Sequence, residues 1–249
     1  MEESEMGKVR LLWLVAVLGI LMVACYKESE TTGVSIATII KTDDHFYLKS
    51  DKGNNLYPET SYIDASRLED SMRVVAYYTL LGEKETESFY DYSINLTGLN
   101  EILTKPFFTF TSETTEEVKD SIGYDAVRVH SAWFTDQYLN LEFEYPGGGY
   151  TVHYINLVMD EENLTNDEGA IILELKHNAN NDPYYRSLYS LAAFDLTQLI
   201  PENNEAVDIL LRWMDKDEKY YEKEMTFEPI QKQPMSGASG DREYNTSIE

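Results

Sequence analysis

A single cysteine stands in these 249 residues, and the stretch before it gives its thiol a specific chemistry. Lys8 and Arg10 make a basic start, residues 11–24 form an apolar run, and Met22, Val23 and Ala24 lead to Cys25. The pattern predicts a secretory signal over residues 1–24, cut directly before the cysteine. A thiol at that place is the acceptor that bacterial lipoprotein processing requires. It takes a diacylglyceryl group, the peptide is cut before it, and the new amine is acylated. A membrane-spanning anchor is the competing interpretation, but the run is short of the roughly 20 apolar residues that a span needs. The chain also turns polar at once after Cys25, with Lys27, Glu28 and Glu30. Each buried methylene contributes about 0.8 kcal/mol, so several acyl chains hold durably where one does not. Residues 25–32 then serve as a tether for a folded part that lies outside the bilayer.

The other reactive side chains are scattered. His45, His130, His153 and His177 fall on separate predicted strands or turns, without the spacing of metal ligands. His177 is the most suggestive, because a strand enters a polar loop (178–183) there. No Gly-x-Ser-x-Gly elbow supports a serine nucleophile. Glu142 and Glu144 share a strand face about 7 Å apart by strand rise, a separation that glycosidase carboxylates also use. The opposite face carries Leu139, Leu141, Phe143 and Tyr145, so the two acids are expected on the solvated side. The acidic runs at 160–162 and 215–218 match no EF-hand spacing, and Lys216 opposes a cation. Catalysis, a metal and a cofactor are therefore not expected.

Binding is a better use of the residues present. Tyr77-Tyr78, Phe89-Tyr90, Tyr184-Tyr185 and Tyr220-Tyr221 put rings on both faces of strands or loops. They either cover sheet edges and a domain interface or form a platform, with a ring to stack and a hydroxyl to hydrogen-bond. Tyr184, Tyr185 and Arg186, beside the polar loop that follows His177, make the best candidate contact surface.

Charge limits the partners. The formal net charge of −25 repels phosphate backbones and anionic headgroups, which excludes nucleic acid. With Cys25 acylated no disulfide can form, so burial must hold the fold.

These residues need strands to position them. Val34, Ile36 and Ile40 alternate on one face, and segments 45–50, 73–81 and 89–99 follow between polar turns. Residues 33–105 read as an OB-like small barrel. The Thr/Glu-rich stretch 106–125 has little to bury and reads as a linker. From 126 to 230 seven strands are predicted, at 127–134, 138–145, 151–159, 170–177, 188–196, 207–214 and 220–227. In the sixth, Val207, Ile209, Leu211 and Trp213 share a face. Seven short strands with regular turns make a β-sandwich. Residues 231–249, with Pro234, Gly237 and Gly240, read as a disordered tail. The fold class expected is all-β, a barrel followed by a sandwich.

Short stretches in order resemble the NigD-like lipoproteins of Bacteroidetes. They include Phe46-Tyr47-Leu48-Lys49, Tyr77-Tyr78-Thr79-Leu80-Leu81-Gly82 and Asp120-Ser121-Ile122-Gly123. Tyr138-Leu139-Asn140-Leu141-Glu142-Phe143, His177-Asn178-Ala179 and Phe194-Asp195-Leu196 continue the series. The resemblance implies an N-terminal OB domain, a C-terminal β-sandwich, no catalytic residues to transfer, and a bacteriocin-immunity role as one use of the family. It also implies the exported-protein chemistry of these bacteria. Lys27-Glu28 with Glu30 resembles their outer-face sorting signal, interrupted by Ser29, so surface and periplasmic orientations both stay open. Asp120-Ser121-Ile122 has the form of their glycosylation triplet, making Ser121 a modification candidate. The function expected is an outer-membrane lipoprotein that binds a protein such as a bacteriocin; a surface carbohydrate- or peptide-binding module is the alternative.

Overall fold

Five strands of alternating character close on themselves at the N-terminal side. The computed structural model describes residues 31–83 and 88–229, and the signal, Cys25 and the 231–249 tail lie outside the described residues. β1 (Thr32–Lys41), β2 (Phe46–Ser50), β3 (Asn55–Ser61), β4 (Arg73–Glu83) and β5 (Tyr92–Glu101) form a closed barrel in the order β1-β2-β3-β5-β4. Its interior is filled by Ala37, Ile39, Leu48, Leu56, Ile94 and Leu96. β3 follows the polar residues 51–54 directly and was not among the predicted segments. A register shift between Pro58 and Thr60 breaks its alternation, which hid it from the pattern.

β1 departs from its reading in one respect. The face bearing Val34, Ile36 and Ile40 points out of the barrel, and the smaller set Ala37 and Ile39 fills it. Ile36 is buried because the second domain covers it, together with Val75, Ile102, Trp133, Tyr138 and Leu191. A strand packed on both sides cannot show which side is the core.

The sandwich has two more strands than predicted, one from the end of the segment read as barrel and one from the segment read as linker. β6 (Leu103–Pro106) and β7 (Phe108–Phe110) are followed by helix α1 (Glu116–Ile122), then β8 (Arg128–Thr135) and β9 (Tyr138–Gly147). β10 (Tyr154–Asp160), β11 (Ile171–Asn178), β12 (Arg186–Asp195), β13 (Val207–Met214) and β14 (Tyr220–Phe227) complete it. One sheet runs β14-β13-β11-β10-β7 and the other β6-β12-β9-β8. Leu139, Leu141 and Phe143 of β9 meet Ile155, Leu173 and Leu211 between the sheets, with the expected alternation.

Thus residues 106–125 are not the bare linker that composition suggests. Thr115 caps α1 by accepting from the Val118 N–H at 3.4 Å, and Glu116 and Glu117 sit in its positive first turn. Ile122 then anchors the helix against Phe110 and Val158. A cap and one well-placed apolar residue suffice where overall hydrophobicity is low.

Barrel and sandwich meet over a buried polar clamp. Arg73, fully buried, donates to both oxygens of Asp51 (2.5 and 2.7 Å), to Thr38 (3.0 Å) and to Asn140 of β9 (2.6 Å). The Trp133 indole donates to the same Asp51 at 3.1 Å. The guanidinium is thus shared between the domains.

Candidate functional site

Two loops at one end of the sandwich lie side by side, and one carboxylate joins them. β9 and β12 pair so that Arg186 faces Gly147. This places loop 148–153 against loop 179–185. Asp182 accepts from the Gly148 N–H at 2.5 Å, from Thr151 Oγ1 at 3.2 Å and from His153 Nε2 at 3.0 Å. The glycines leave room for this approach. A Cβ on Gly147 would lie 2.9 Å from Asp182 and from His153, and one on Gly148 would lie 3.1 Å from the Tyr185 ring.

Behind Asp182, two histidines that are distant in sequence come together. The His153 and His177 rings lie nearly parallel, 5.1 Å apart, with His153 Nδ1 2.8 Å from His177 Nε2. His177 Nδ1 donates to the Ala126 carbonyl at 3.3 Å, and Tyr145 packs against both rings. Hydrogen-bond accounting fixes the protons. The Ala126 carbonyl and the ionised Asp182 can only accept, so the nitrogens facing them each carry a proton. The contact between the rings needs one more. Three protons over four nitrogens give the pair one positive charge, balanced by Asp182. Burial, and then Coulomb repulsion from His153, push His177 down from 6.5 to about 4. The His153 hydrogen bond, followed by the Gly148 amide, lowers the Asp182 carboxyl in turn.

This arrangement resembles part of a catalytic triad but lacks its working end. The ring nitrogen that would face a nucleophile faces another imidazole, and both imidazoles are fully buried. Among the described residues no group of three or more His, Cys, Asp or Glu is arranged to hold a metal ion. What the network does is mechanical: it locks the two loops together.

The locked loops present rings to solvent. Tyr184 is 68% exposed, Tyr185 73% and Tyr150 96%, with Arg186 exposed at the start of β12. Tyr184, Tyr185 and Arg186, the residues expected to form a contact surface, are thus exposed. His177 does not: it is buried beneath them and cannot touch a partner. Tyr150 was missed, although its place after three glycines marks an outward loop tip. Ser121 is exposed but sits in the last turn of α1, its hydroxyl donating to the Val118 carbonyl at 2.7 Å. Cys25 lies outside the described residues.

The carboxylate pair also departs from expectation. Glu142 and Glu144 are both buried, because the outer face of the four-stranded sheet is covered rather than solvated. The barrel covers one part, and the β13–β14 turn brings Lys216 over the other. Lys216 donates to Glu144 and, at 2.9 Å, to Ser187; His130 Nε2 lies 3.2 Å from Glu144. Burial alone would raise the Glu144 carboxyl, but hydrogen bonds from Lys216, Tyr189 and His130 outweigh it and hold it at about 2. A groove of about 470 Å³ on the other sheet, beside Phe110 and Tyr124, has both of its lysines paired within it. Lys119 meets Glu116, and Lys176 meets Glu174 while lying over the Tyr124 ring.

Residues 36–102 match the NigD-like N-terminal OB domain and residues 110–228 the NigD-like C-terminal beta sandwich domain. Among solved structures, a protein from Parabacteroides distasonis described as toxin-related is 25% identical, with a TM-score of 0.65 over 80% of this chain and 95% of that one. A NigD-like immunity protein from Bacteroides caccae is 20% identical, with a TM-score of 0.61 over 82% and 99%. A protein from Bacteroides fragilis described as a lipoprotein is 12% identical, with a TM-score of 0.55 over 80% and 98%. No curated protein matches the chain.

Proposed function

We propose, from the premise that this chain belongs to the NigD-like family, that it is a lipid-anchored envelope protein that captures a partner and performs no chemistry on it. The observation that carries this reading is the pair of locked loops bearing Tyr150, Tyr184 and Tyr185. Tyrosines supply large amphipathic contact area at low entropic cost, and a pre-organised loop loses little freedom on binding. A catalytic site would expose its titratable groups; here Asp182, His153 and His177 are spent holding the platform. A solved relative is named an immunity protein, and interception of a bacteriocin or toxin is the partner class we favour. The charge of −25 suits a basic partner, since complementary charge raises the encounter rate.

Crosslinking on intact cells that carry the native Cys25 anchor tests the capture. A protein partner recovered with the wild type and lost with Tyr184→Ala/Tyr185→Ala is the expected result. A glycan recovered through the same tyrosines would turn the reading towards a carbohydrate-binding accessory module. Intact mass of the exported protein from a native-type host tests the modifications. Acyl groups on an N-terminal Cys25 are expected, with a glycan on exposed Ser121; an unmodified cysteine ends the anchor argument.

A further inference from the structure

The barrel carries a second aromatic surface, on the outside of β2 and β3. Leu48 and Leu56 point into the barrel core, so Tyr47 and Tyr57, next to them in sequence, point out. Outward positions on a small exported barrel are expected to be polar. Here they hold a cluster of five rings. Phe89 is its hub, with ring centroids 4.6 Å from His45, 5.8 Å from Tyr47, 5.5 Å from Tyr57 and 5.3 Å from Tyr90. Tyr57 and Tyr90 stack at 5.1 Å. The hub ring remains 48% exposed.

The cluster is built rather than incidental. Asn55, at the start of β3, donates its side-chain amide to the Phe89 carbonyl at 3.0 Å and its backbone N–H to Asp91 at 2.8 Å. The Asp91 N–H returns a bond to the Asn55 carbonyl at 2.8 Å. These three bonds fix the segment carrying Phe89 and Tyr90 over β2 and β3. The sandwich packs on the β1 and β4 side, through Ile36 and Val75. In barrels of this strand order, the face of strands 2 and 3 with the loops joining strands 1–2 and 4–5 is where ligands bind. The rings stand on that face and on those loops.

We infer that this platform binds a Lys- or Arg-bearing polypeptide segment. Charge selects the occupant. Asp43 and Asp44, both exposed, directly precede His45, and exposed Glu59 follows Tyr57 on β3. Of the cations near it, Lys49 pairs with Asp136 at 2.7 Å and Lys41 donates to the Leu68 carbonyl at 2.8 Å, while exposed Lys52 lies in the β2–β3 turn, at the opposite end of β2 from Asp43 and Asp44. Aromatic faces beside free carboxylates attract a cation through the ring quadrupole and Coulomb terms together. The same charges repel the phosphates that other barrels of this shape accept on such rings. This site lies on the other domain from the tyrosine loops, and its existence does not depend on their role.

The test is titration of the purified full-length chain with decalysine at low and physiological salt, with fully acetylated decalysine and cellohexaose as neutral probes. Decalysine is expected to bind in a salt-dependent way, and Phe89→Ala and Tyr57→Ala to weaken it about tenfold with an unchanged thermal midpoint. Phe89→Trp is expected to retain binding. Equal affinity in wild type and Phe89→Ala would reduce the binding to the general acidity of the surface and overturn the inference. Absence of decalysine binding would overturn it as well. Ring-dependent binding of cellohexaose or of the acetylated peptide without decalysine would overturn it in favour of a neutral ligand. Loss of partner capture in the Tyr184→Ala/Tyr185→Ala chain, with decalysine binding intact, would separate the two surfaces.

Discussion

His177 has an ordinary value of 6.5 and is held at about 4 in the fold. Between those values the unfolded chain binds a proton that the folded chain refuses, so stability falls as pH drops from 6.5 towards 4. At 1.36 kcal/mol per unit, the loss from pH 7 to pH 4.5 is on the order of 2–3 kcal/mol from this group. His177→Gln is expected to start less stable at pH 7 and to lose clearly less on acidification, read from urea midpoints at the two pH values. An equal acid loss in wild type and variant would refute the assignment. Little of this network was legible in the sequence. His153 and His177 sit on β10's approach and on β11, and only the antiparallel register, with Ile155 opposite His177, brings their rings together. Asp182 lies in a polar loop with nothing local to distinguish it from Asp167 or Asp217. The exposure of Tyr184, Tyr185 and Arg186 was legible because aromatic residues next to a polar loop have few places to hide.

Helix α1 and its exit show how an element is set by one position. Gly123 has φ +88, and a Cβ there would lie 2.5 Å from the His177 carbonyl oxygen and 2.7 Å from the Asn178 Cα. Backbone strain alone costs roughly 1–3 kcal/mol at such a conformation, and the clash adds to it. Gly123→Ala is therefore expected to lower the thermal midpoint and to expose the α1–β11 junction to limited proteolysis. A midpoint within a degree of wild type would show that the junction yields freely. Long alternating elements such as β9 and β13 were legible because a period of two repeats often enough to be seen. β6 and β7 are too short for that, and their partners β12 and β10 are far along the chain. Low apolar content concealed α1, whose burial rests on Ile122.

At the scale of the molecule, the Arg73 clamp makes barrel and sandwich depend on each other. Removing one member of a buried ion pair leaves the other uncompensated and costs about 3–5 kcal/mol. Arg73→Ala strands Asp51 at 1% side-chain exposure and removes the barrel's donor to Asn140. The expected result is a loss of that size in chemical denaturation, with the single transition splitting in two as the domains uncouple. A single unshifted transition would show that the apolar contacts around Trp133 and Tyr138 join the domains unaided. The overall plan was legible, barrel then sandwich, because each domain carries its own alternation; the interface was not, because Arg73 and Asn140 read as ordinary polar positions on their strands.

The two short strands β6 and β7 set an order of events as the chain is made. Leu103 of β6 must wait for Ala192 of β12, and Phe108 of β7 for Val158 of β10. A chain emerging N-terminus first can close its barrel from residues close in sequence. Each sheet of the sandwich then holds an open edge until distant chain arrives, and such non-local pairing is slow. During that interval the growing protein offers unpaired strand edges beside a finished barrel, the state in which chains cross-pair. The seam that completes both sheets is thus where assembly of the molecule is most exposed to failure, and where a chaperone has most to protect.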